Sequence, residues 1–340
     1  MSDDLLSEEA EREARELVAR RTTATQSILQ ALPLVAGSAG AGLALSFAYA
    51  TASTVGLDLV GRLFDWCLKQ PGDSLASMAQ GGFVVGGLLS VYAVIQFMKR
   101  HTATRASWFP ALFALPVLVG AGGIMLAGSP TGRQLGPALF QMLLVPWTLL
   151  LYSVGGAACA IAWVRGADEV AEGRPVDTSA VLGEVGSRLV EVSGPHGARQ
   201  HAVTIGLQLL VPGIFYALQL AFVDAIAVLQ PEGAAWKRSG DLTYGMRSRL
   251  FRVFAMWFVV TLLVVGGLQV GVGGTEAITL AMVDPRALGL PIYFVSELIT
   301  AITSWVLTVA LLVLYKEREA QVTAARALRR HKKALAASET

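Results

Sequence analysis

The sequence predicts an all-α, polytopic membrane protein with six transmembrane helices and one helical hairpin, about eight membrane-inserted helices in all. Hydrophobic residues make up 54% of the 340 positions and charged residues only 15%, whereas soluble domains carry about 25% charged residues. Several stretches also reach the roughly 20 apolar residues that cross a hydrocarbon core about 30 Å thick. These stretches are continuously apolar, which favours helices over the alternating strands of a membrane barrel.

The six predicted spans are apolar runs separated by charged connections. They cover residues 26–50, 81–98, 108–126, 138–164, 250–272 and 291–315. A further run, 201–230, contains Pro212 and Gly213, and a proline removes a backbone donor and clashes with the preceding helical turn. This run either crosses once as a long helix or enters and returns as a hairpin that turns at Pro212 and Gly213.

The distribution of lysine and arginine decides between these alternatives, because cytoplasmic connections carry an excess of both residues. With the amino terminus in the cytoplasm, the hairpin places 23 of the 27 lysine and arginine residues on the cytoplasmic side. A single crossing instead moves the basic tail outside. The sequence therefore predicts the hairpin and two cytoplasmic termini, although the short first limb leaves open whether the hairpin spans the membrane fully or re-enters it.

Four regions follow from this pattern. They are an acidic amphipathic cytoplasmic helix (1–25), amino-terminal transmembrane helices (26–135), a membrane domain (136–315) with the hairpin 201–230 and a basic interfacial element (231–252), and a basic cytoplasmic helical tail (316–340). The acidic helix carries seven acidic residues by position 16, and the basic tail carries seven basic residues. The two ends either dock on each other or remain independent and solvated, since exposed ion pairs contribute little.

The basic interfacial element combines cations with an apolar stripe. Five residues at helical spacing share one side, namely Ala235, Leu242, Met246, Leu250 and Val253. Trp236 and Tyr244 are typical of a membrane interface. The five cations are Lys237, Arg238, Arg247, Arg249 and Arg252. They predict either a topology signal that anchors in anionic lipid headgroups, to which polybasic segments are attracted, or a site for a specific anionic ligand or partner.

Two acidic residues lie inside predicted membrane segments, where an unpaired charge costs several kcal/mol. Asp224 lies in the returning limb of the hairpin and Glu297 in the last span, at depths that differ by roughly 12 Å. They cannot form a direct dyad. They predict either successive stations on a proton or cation pathway or structural polar groups satisfied by local hydrogen bonds.

Motifs for catalysis and cofactor binding are absent, since the sequence has no His-Glu-x-x-His, Gly-x-Ser-x-Gly, Walker or Cys-x-x-Cys pattern. We therefore expect no enzyme, no cofactor and no metal site. His196 and His201, with Arg199 between them, lack a recognisable third metal ligand and are interpreted as solvated interfacial histidines. Cys67 and Cys159 lie in different settings, so no disulfide is expected.

Small residues predict close helix packing at three places. Residues 37–44, "GSAGAGLA", form a small-residue face and lack the Lys-Ser/Thr ending of a phosphate loop. Gly82 and Gly86 share a Gly-x-x-x-Gly spacing, as do Gly267 and Gly271. Both pairs permit packing within the subunit or between copies.

Residues 160–315 carry a family resemblance. Pro212-Gly213 ends one apolar helix, a second apolar helix follows, and then come Ala235 to Ser239 in an Ala-x-x-x-Ser spacing, Leu242-Thr243 and Arg247. This pattern resembles the membrane domain attached to some glycerophosphoryl diester phosphodiesterases and the related YciC-type bacterial inner-membrane proteins. The resemblance implies two membrane helices joined at Pro-Gly and no phosphodiesterase activity, because that activity resides in a separate soluble domain.

These observations predict a non-enzymatic integral protein of a bacterial inner membrane. The leading function is an assembly, scaffold or lipid-interacting protein with a basic cytoplasmic surface. Its expected partners are anionic membrane lipids, further copies of itself or a membrane protein complex, and not nucleic acid. The alternative is a small-solute or ion transporter built around Asp224 and Glu297. The absence of an internal repeat weighs against that alternative.

Overall fold

The computed structural model describes residues 8–19, 21–98, 109–207, 211–230, 235–274 and 284–338, and these residues form helices without strands. The helices are α1 (Glu8–Ala19), α2 (Ala24–Gly37), α3 (Ala39–Lys69), α4 (Gly72–Met98), α5 (Ala114–Gly128), α6 (Pro130–Gln134), α7 (Pro137–Leu150), α8 (Gly156–Ala171), α9 (Thr178–Leu207), α10 (Val211–Gln219), α11 (Val223–Leu229), α12 (Ala235–Thr243), α13 (Arg247–Gly273) and α14 (Leu290–Ser338). Short 3₁₀ turns at Pro110–Phe113 and Pro285–Leu288 precede α5 and α14, and a π-turn at Leu151–Gly155 joins α7 to α8.

Seven helical segments in the described part of the chain are long and apolar enough to cross a membrane. They are α3, α4, α5 with its 3₁₀ turn, the continuous pair α7–α8, the pair α10–α11, α13 and α14. The predicted class, a polytopic all-α membrane protein, is confirmed. The eighth predicted inserted helix corresponds to α9, which is too polar to be one of the seven.

The predicted hairpin is present and consists of α9 followed by α10 and α11. A Cβ atom on Gly206 would lie 2.8 Å from the Cα atom of Gly213, so α9 and α10 are in contact at this end, and Pro212 and Gly213 themselves lie in the first turn of α10. Further along, Arg188 of α9 donates to the carbonyl of Val228 (2.6 Å), which shows that the limbs run antiparallel. The first limb begins at Thr178 and not near residue 201, so the prediction of its start was wrong.

The first predicted span, 26–50, is divided by a break at Ser38, whose hydroxyl donates to the carbonyl of Leu34 (2.8 Å). The two ends of α2 lie beside α14 and α8. The Thr22 amide at its start donates to the Glu317 carboxylate (3.2 Å), and Gly37 at its end contacts Val170. The crossing helix is therefore α3, which starts later than predicted and continues to Lys69.

The small-residue run 37–44 lies at tight helix contacts, as predicted. A Cβ on Gly37 would lie 2.8 Å from the Val170 side chain, one on Gly40 would lie 2.5 Å from Thr178 Oγ1, and one on Gly42 would overlap the Trp305 ring. Only hydrogen at these positions lets α2 approach α8, and lets α3 approach α9 and α14, this closely.

Buried residues form two clusters. The larger contains α8, α9 and α11 to α14 together with α2 and the first half of α3, and its largest side chains are Trp305, Tyr315 and Phe222. The smaller contains the second half of α3 with parts of α4, α5 and α7, around Leu57 and Phe140. It lies at the distal end of the bundle, opposite the terminal helices. Helix α3 therefore takes part in both clusters.

The terminal helices lie together, which confirms the docked alternative. Helix α14 continues beyond its apolar part as a charged extension, and α1 packs along this extension. Glu11 Oε2 of α1 lies 3.8 Å from His331 Nε2, and both His331 and Ala14 are buried at the contact. Helix packing thus accompanies the charge complementarity that the sequence suggested.

Candidate functional site

The π-turn Leu151–Gly155 is held by two histidines from α9. His196 Nε2 lies 3.1 Å from the Tyr152 carbonyl oxygen, and His201 Nε2 lies 3.2 Å from Ser153 Oγ. Gly156 makes the first contact possible, since a Cβ there would lie 2.6 Å from His196 Nε2. Single π-turns inside α-helices are rare and are found frequently at functional sites.

Asp224, His196 and Arg199 form a buried ionic centre, called here the aspartate centre. His196 Nδ1 donates to Asp224 Oδ1 (2.8 Å), and Arg199 donates to Asp224 Oδ2. Asp224 is 6% exposed and His196 4% exposed. Both carboxylate oxygens therefore have a donor, and the charge of Asp224 is compensated inside the protein.

The aspartate centre corrects the interpretation of the histidines as solvated interfacial residues. Because α9 begins at Thr178, it carries His196 and Arg199 into the bundle, where both face α11. Sequence reasoning missed Arg199 as the partner of Asp224. The signal was available, because an acid in an apolar segment requires a partner, and His196 and Arg199 are three residues apart on one helical face.

Glu297 belongs to a second polar cluster, called here the glutamate centre. Its carboxylate is hydrogen-bonded to Ser53 of α3, and Ser53 Oγ lies 3.1 Å from the Tyr293 hydroxyl. The side chains of Tyr49 and Tyr152 lie within electrostatic range of Glu297. In the described part of the chain, Glu297 has no ion pair with a lysine, arginine or histidine.

Tyr152 borders both centres. Its carbonyl accepts from His196 of the aspartate centre, whereas its side chain lies near Glu297. Asp224 and Glu297 do not contact each other, in agreement with their predicted difference in depth. The structure brings them to opposite sides of one residue in the π-turn.

The basic interfacial element has the predicted apolar side. All five stripe residues are buried, at 6% exposure or less: Ala235, Leu242, Met246, Leu250 and Val253. Gly245, with φ +82°, divides the element into α12 and the start of α13. The stripe therefore continues across a turn and does not follow one helix.

The five predicted cations do not share one surface. Arg238 pairs with Glu319, and Arg249 NH1 lies 3.0 Å from Glu317 Oε1, so both are bound to α14. Arg247 lies with its guanidinium carbon 4.9 Å from the centre of the Phe215 ring. Lys237 and Arg252 are exposed, as are Arg238 and Arg247 in part of their surface.

Residues of the Ala-x-x-x-Ser and Leu-Thr pattern hold the break between α10 and α11. Ser239 Oγ donates to the Gln219 carbonyl (2.9 Å) and accepts from the Phe222 amide (3.2 Å). Thr243 Oγ1 lies 3.3 Å from the same Gln219 carbonyl. Helix α12 thus supplies the hydrogen bonds that the interrupted hairpin limb cannot make within itself.

The two Gly-x-x-x-Gly pairs have different surroundings. A Cβ on Gly82 would lie 2.8 Å from the Ala121 Cβ, and one on Gly86 would lie 2.7 Å from Leu118 Cδ2, so this pair packs α4 against α5. Around Gly267 and Gly271 no described atom lies within 4 Å of such a Cβ. The first pair therefore packs within the subunit, whereas the second pair has no such contact among the described residues, and packing between copies stays its open alternative.

Comparison with known proteins finds no matching family model, no matching curated relative and no matching solved structure. The resemblance to the phosphodiesterase membrane domain stays a prediction. Among the described residues there is also no group of three or more histidine, cysteine, aspartate or glutamate side chains arranged to hold a metal ion.

Proposed function

We propose that the protein is a non-enzymatic, lipid-interacting protein of a bacterial inner membrane, whose α12–α13 junction binds anionic headgroups at the cytoplasmic side. The observation that carries this proposal is the two-sided character of the junction. Its apolar stripe is buried, whereas Trp236 and Tyr244 on its other side are 38% and 73% exposed. Helix α13, which is long and apolar enough to cross a membrane, begins directly afterwards, and this supports a position of the exposed side at headgroup level.

Three cations remain for lipid contact, namely Lys237, Arg247 and Arg252. Arg238 and Arg249 act instead as internal ties to α14. Each basic residue near an anionic surface contributes about 1 kcal/mol of attraction. Removing all three should therefore weaken the binding of anionic lipid by roughly a hundredfold, if the three contributions add.

Native mass spectrometry of the detergent-purified protein tests this proposal by titration with phosphatidylglycerol and, separately, phosphatidylcholine. The triple variant Lys237→Gln, Arg247→Gln, Arg252→Gln should lose phosphatidylglycerol adducts and keep its weak phosphatidylcholine adducts. A matched control neutralises three bases of the α14 extension, Arg326, Arg329 and Arg330. Equal loss of phosphatidylglycerol in both triple variants would contradict a site at the α12–α13 junction.

A further inference from the structure

The glutamate centre has a charge that the protein does not compensate. Asp224 has Arg199 and His196, whereas the only hydrogen-bond partner of Glu297 in the described structure is the Ser53 hydroxyl. Glu297 lies seven residues into α14, about 10 Å along the helix from its first residue. An uncompensated carboxylate at such a position costs several kcal/mol, so a positive species from solution must neutralise it.

A chain of hydroxyl groups leads from Glu297 toward the distal end. Ser53 bridges the Glu297 carboxylate and the Tyr293 hydroxyl, and Tyr293 lies one helical turn from Gly289. Gly289 lines an open polar groove of about 240 Å³, together with Asp58 and Arg286. The groove thus lies at the same end of α14 as Tyr293, one helical turn away along the backbone.

We propose that Glu297 is a proton-binding site that is loaded from the distal groove through Tyr293 and Ser53. Each transfer breaks and forms one O–H bond. Ser53 gives its hydroxyl proton to the Glu297 carboxylate and takes one from Tyr293, and Tyr293 is replenished by water. No oxidant, reductant or metal is needed, and the neutral carboxyl group keeps its hydrogen bond to Ser53.

The neighbours of Glu297 favour a proton over a metal cation. The titratable groups that face it are three tyrosines, Tyr49 from α3, Tyr152 from the π-turn and Tyr293 from α14 itself. Among the described residues, Ser53 is the hydrogen-bond partner of the carboxylate, whereas a metal cation requires several oxygen ligands at once. Helix α13 approaches α14 further along, where Thr261 bonds to Thr303 (3.0 Å).

Labelling with dicyclohexylcarbodiimide tests the proposal, because this apolar reagent reacts with protonated carboxyl groups. The full-length protein in lipid nanodiscs is labelled at pH values between about 5 and 9, and the modified residue is identified by mass spectrometry. We expect labelling of Glu297 that decreases as the pH rises, and no labelling of the ion-paired Asp224 in the same molecule. Absence of labelling at Glu297 over the whole range would overturn the proposal.

Two further experiments distinguish a bound proton from a bound metal cation and test the transfer route. Sodium ions that protect Glu297 at constant pH would assign the site to a metal cation and overturn the proton assignment. In sealed proteoliposomes, Tyr293→Phe should slow the change in labelling after a pH jump on the distal side, and an unchanged rate would remove the proposed route. Glu297→Gln serves as the negative control, and its fold is checked by the continued protection of the buried thiol of Cys159.

Discussion

Arg199→Met is the most informative perturbation of the aspartate centre, because it removes one ion-pair partner and keeps much of the side-chain length. Breaking a buried pair by deleting one partner costs about 3–5 kcal/mol, since the other charge remains buried. In this protein His196 keeps its 2.8 Å hydrogen bond to the same carboxylate. We therefore expect the lower end, about 3 kcal/mol, which lowers the folding equilibrium constant roughly a hundredfold.

The second step restores neutrality by adding Asp224→Asn. The amide oxygen still accepts from His196, and no charge is left in the apolar surroundings. The double variant should recover most of the lost stability, so the two substitutions are expected to be strongly non-additive. This coupling distinguishes a charge partnership from general packing defects, which would add.

Thiol reactivity supplies the assay. Cys159 is 1% exposed in the larger core, and a Cys67→Ala background leaves it as the single thiol. The temperature at which a maleimide dye reacts reports unfolding around α8 in nanodiscs. If Arg199→Met unfolds at the parent temperature, or if Asp224→Asn lowers the stability further, Arg199 does not neutralise Asp224.

Two further predictions concern packing and pH. Gly82→Ala should destabilise the protein by about 1–3 kcal/mol through its contact with Ala121, whereas Gly267→Ala should be neutral or stabilising, as measured by thermal unfolding. The hydrogen bond from Arg286 holds the pKa of Asp284 below its ordinary value. Because the pKa is lower in the folded state than in the unfolded state, the ionised Asp284 stabilises the turn before α14 at higher pH, and this stabilisation is lost as the pH falls below about 4. Hydrogen exchange in the turn should therefore become faster in acid. Arg286→Gln should remove this pH dependence.

The sequence predicted those features of the fold that depend on residues close to one another in the chain. The reversal near Pro212 and Gly213 follows from the missing proline donor together with the charge distribution, and it is present. The buried stripe from Ala235 to Val253 follows from helical periodicity, which survives the turn at Gly245 because the turn is short. Neither feature requires knowledge of which helices become neighbours.

Features that depend on tertiary partners were not accessible to the same reasoning. Helix α9 was not predicted as a hairpin limb because its first half is polar, yet Arg188 in this half caps α11 by donating to the Ala227 and Val228 carbonyls. The break at Ser38 lies within a run that is apolar throughout. For α9 the deciding interaction thus comes from residues about 40 positions away in the chain.

The two acidic residues show why residue type and depth alone are a weak guide to function. Asp224 and Glu297 look alike in the sequence, but in the described part of the chain Asp224 is bound by Arg199 and His196, whereas Glu297 has hydroxyl neighbours and no ion pair. A carboxylate whose two oxygens are held by an arginine and a histidine is compensated locally and serves to tie α9 to α11. A carboxylate with a hydroxyl partner can exchange a proton without losing that partner. The difference in partners, and not in position, therefore assigns a structural role to Asp224 and directs the search for proton chemistry to Glu297.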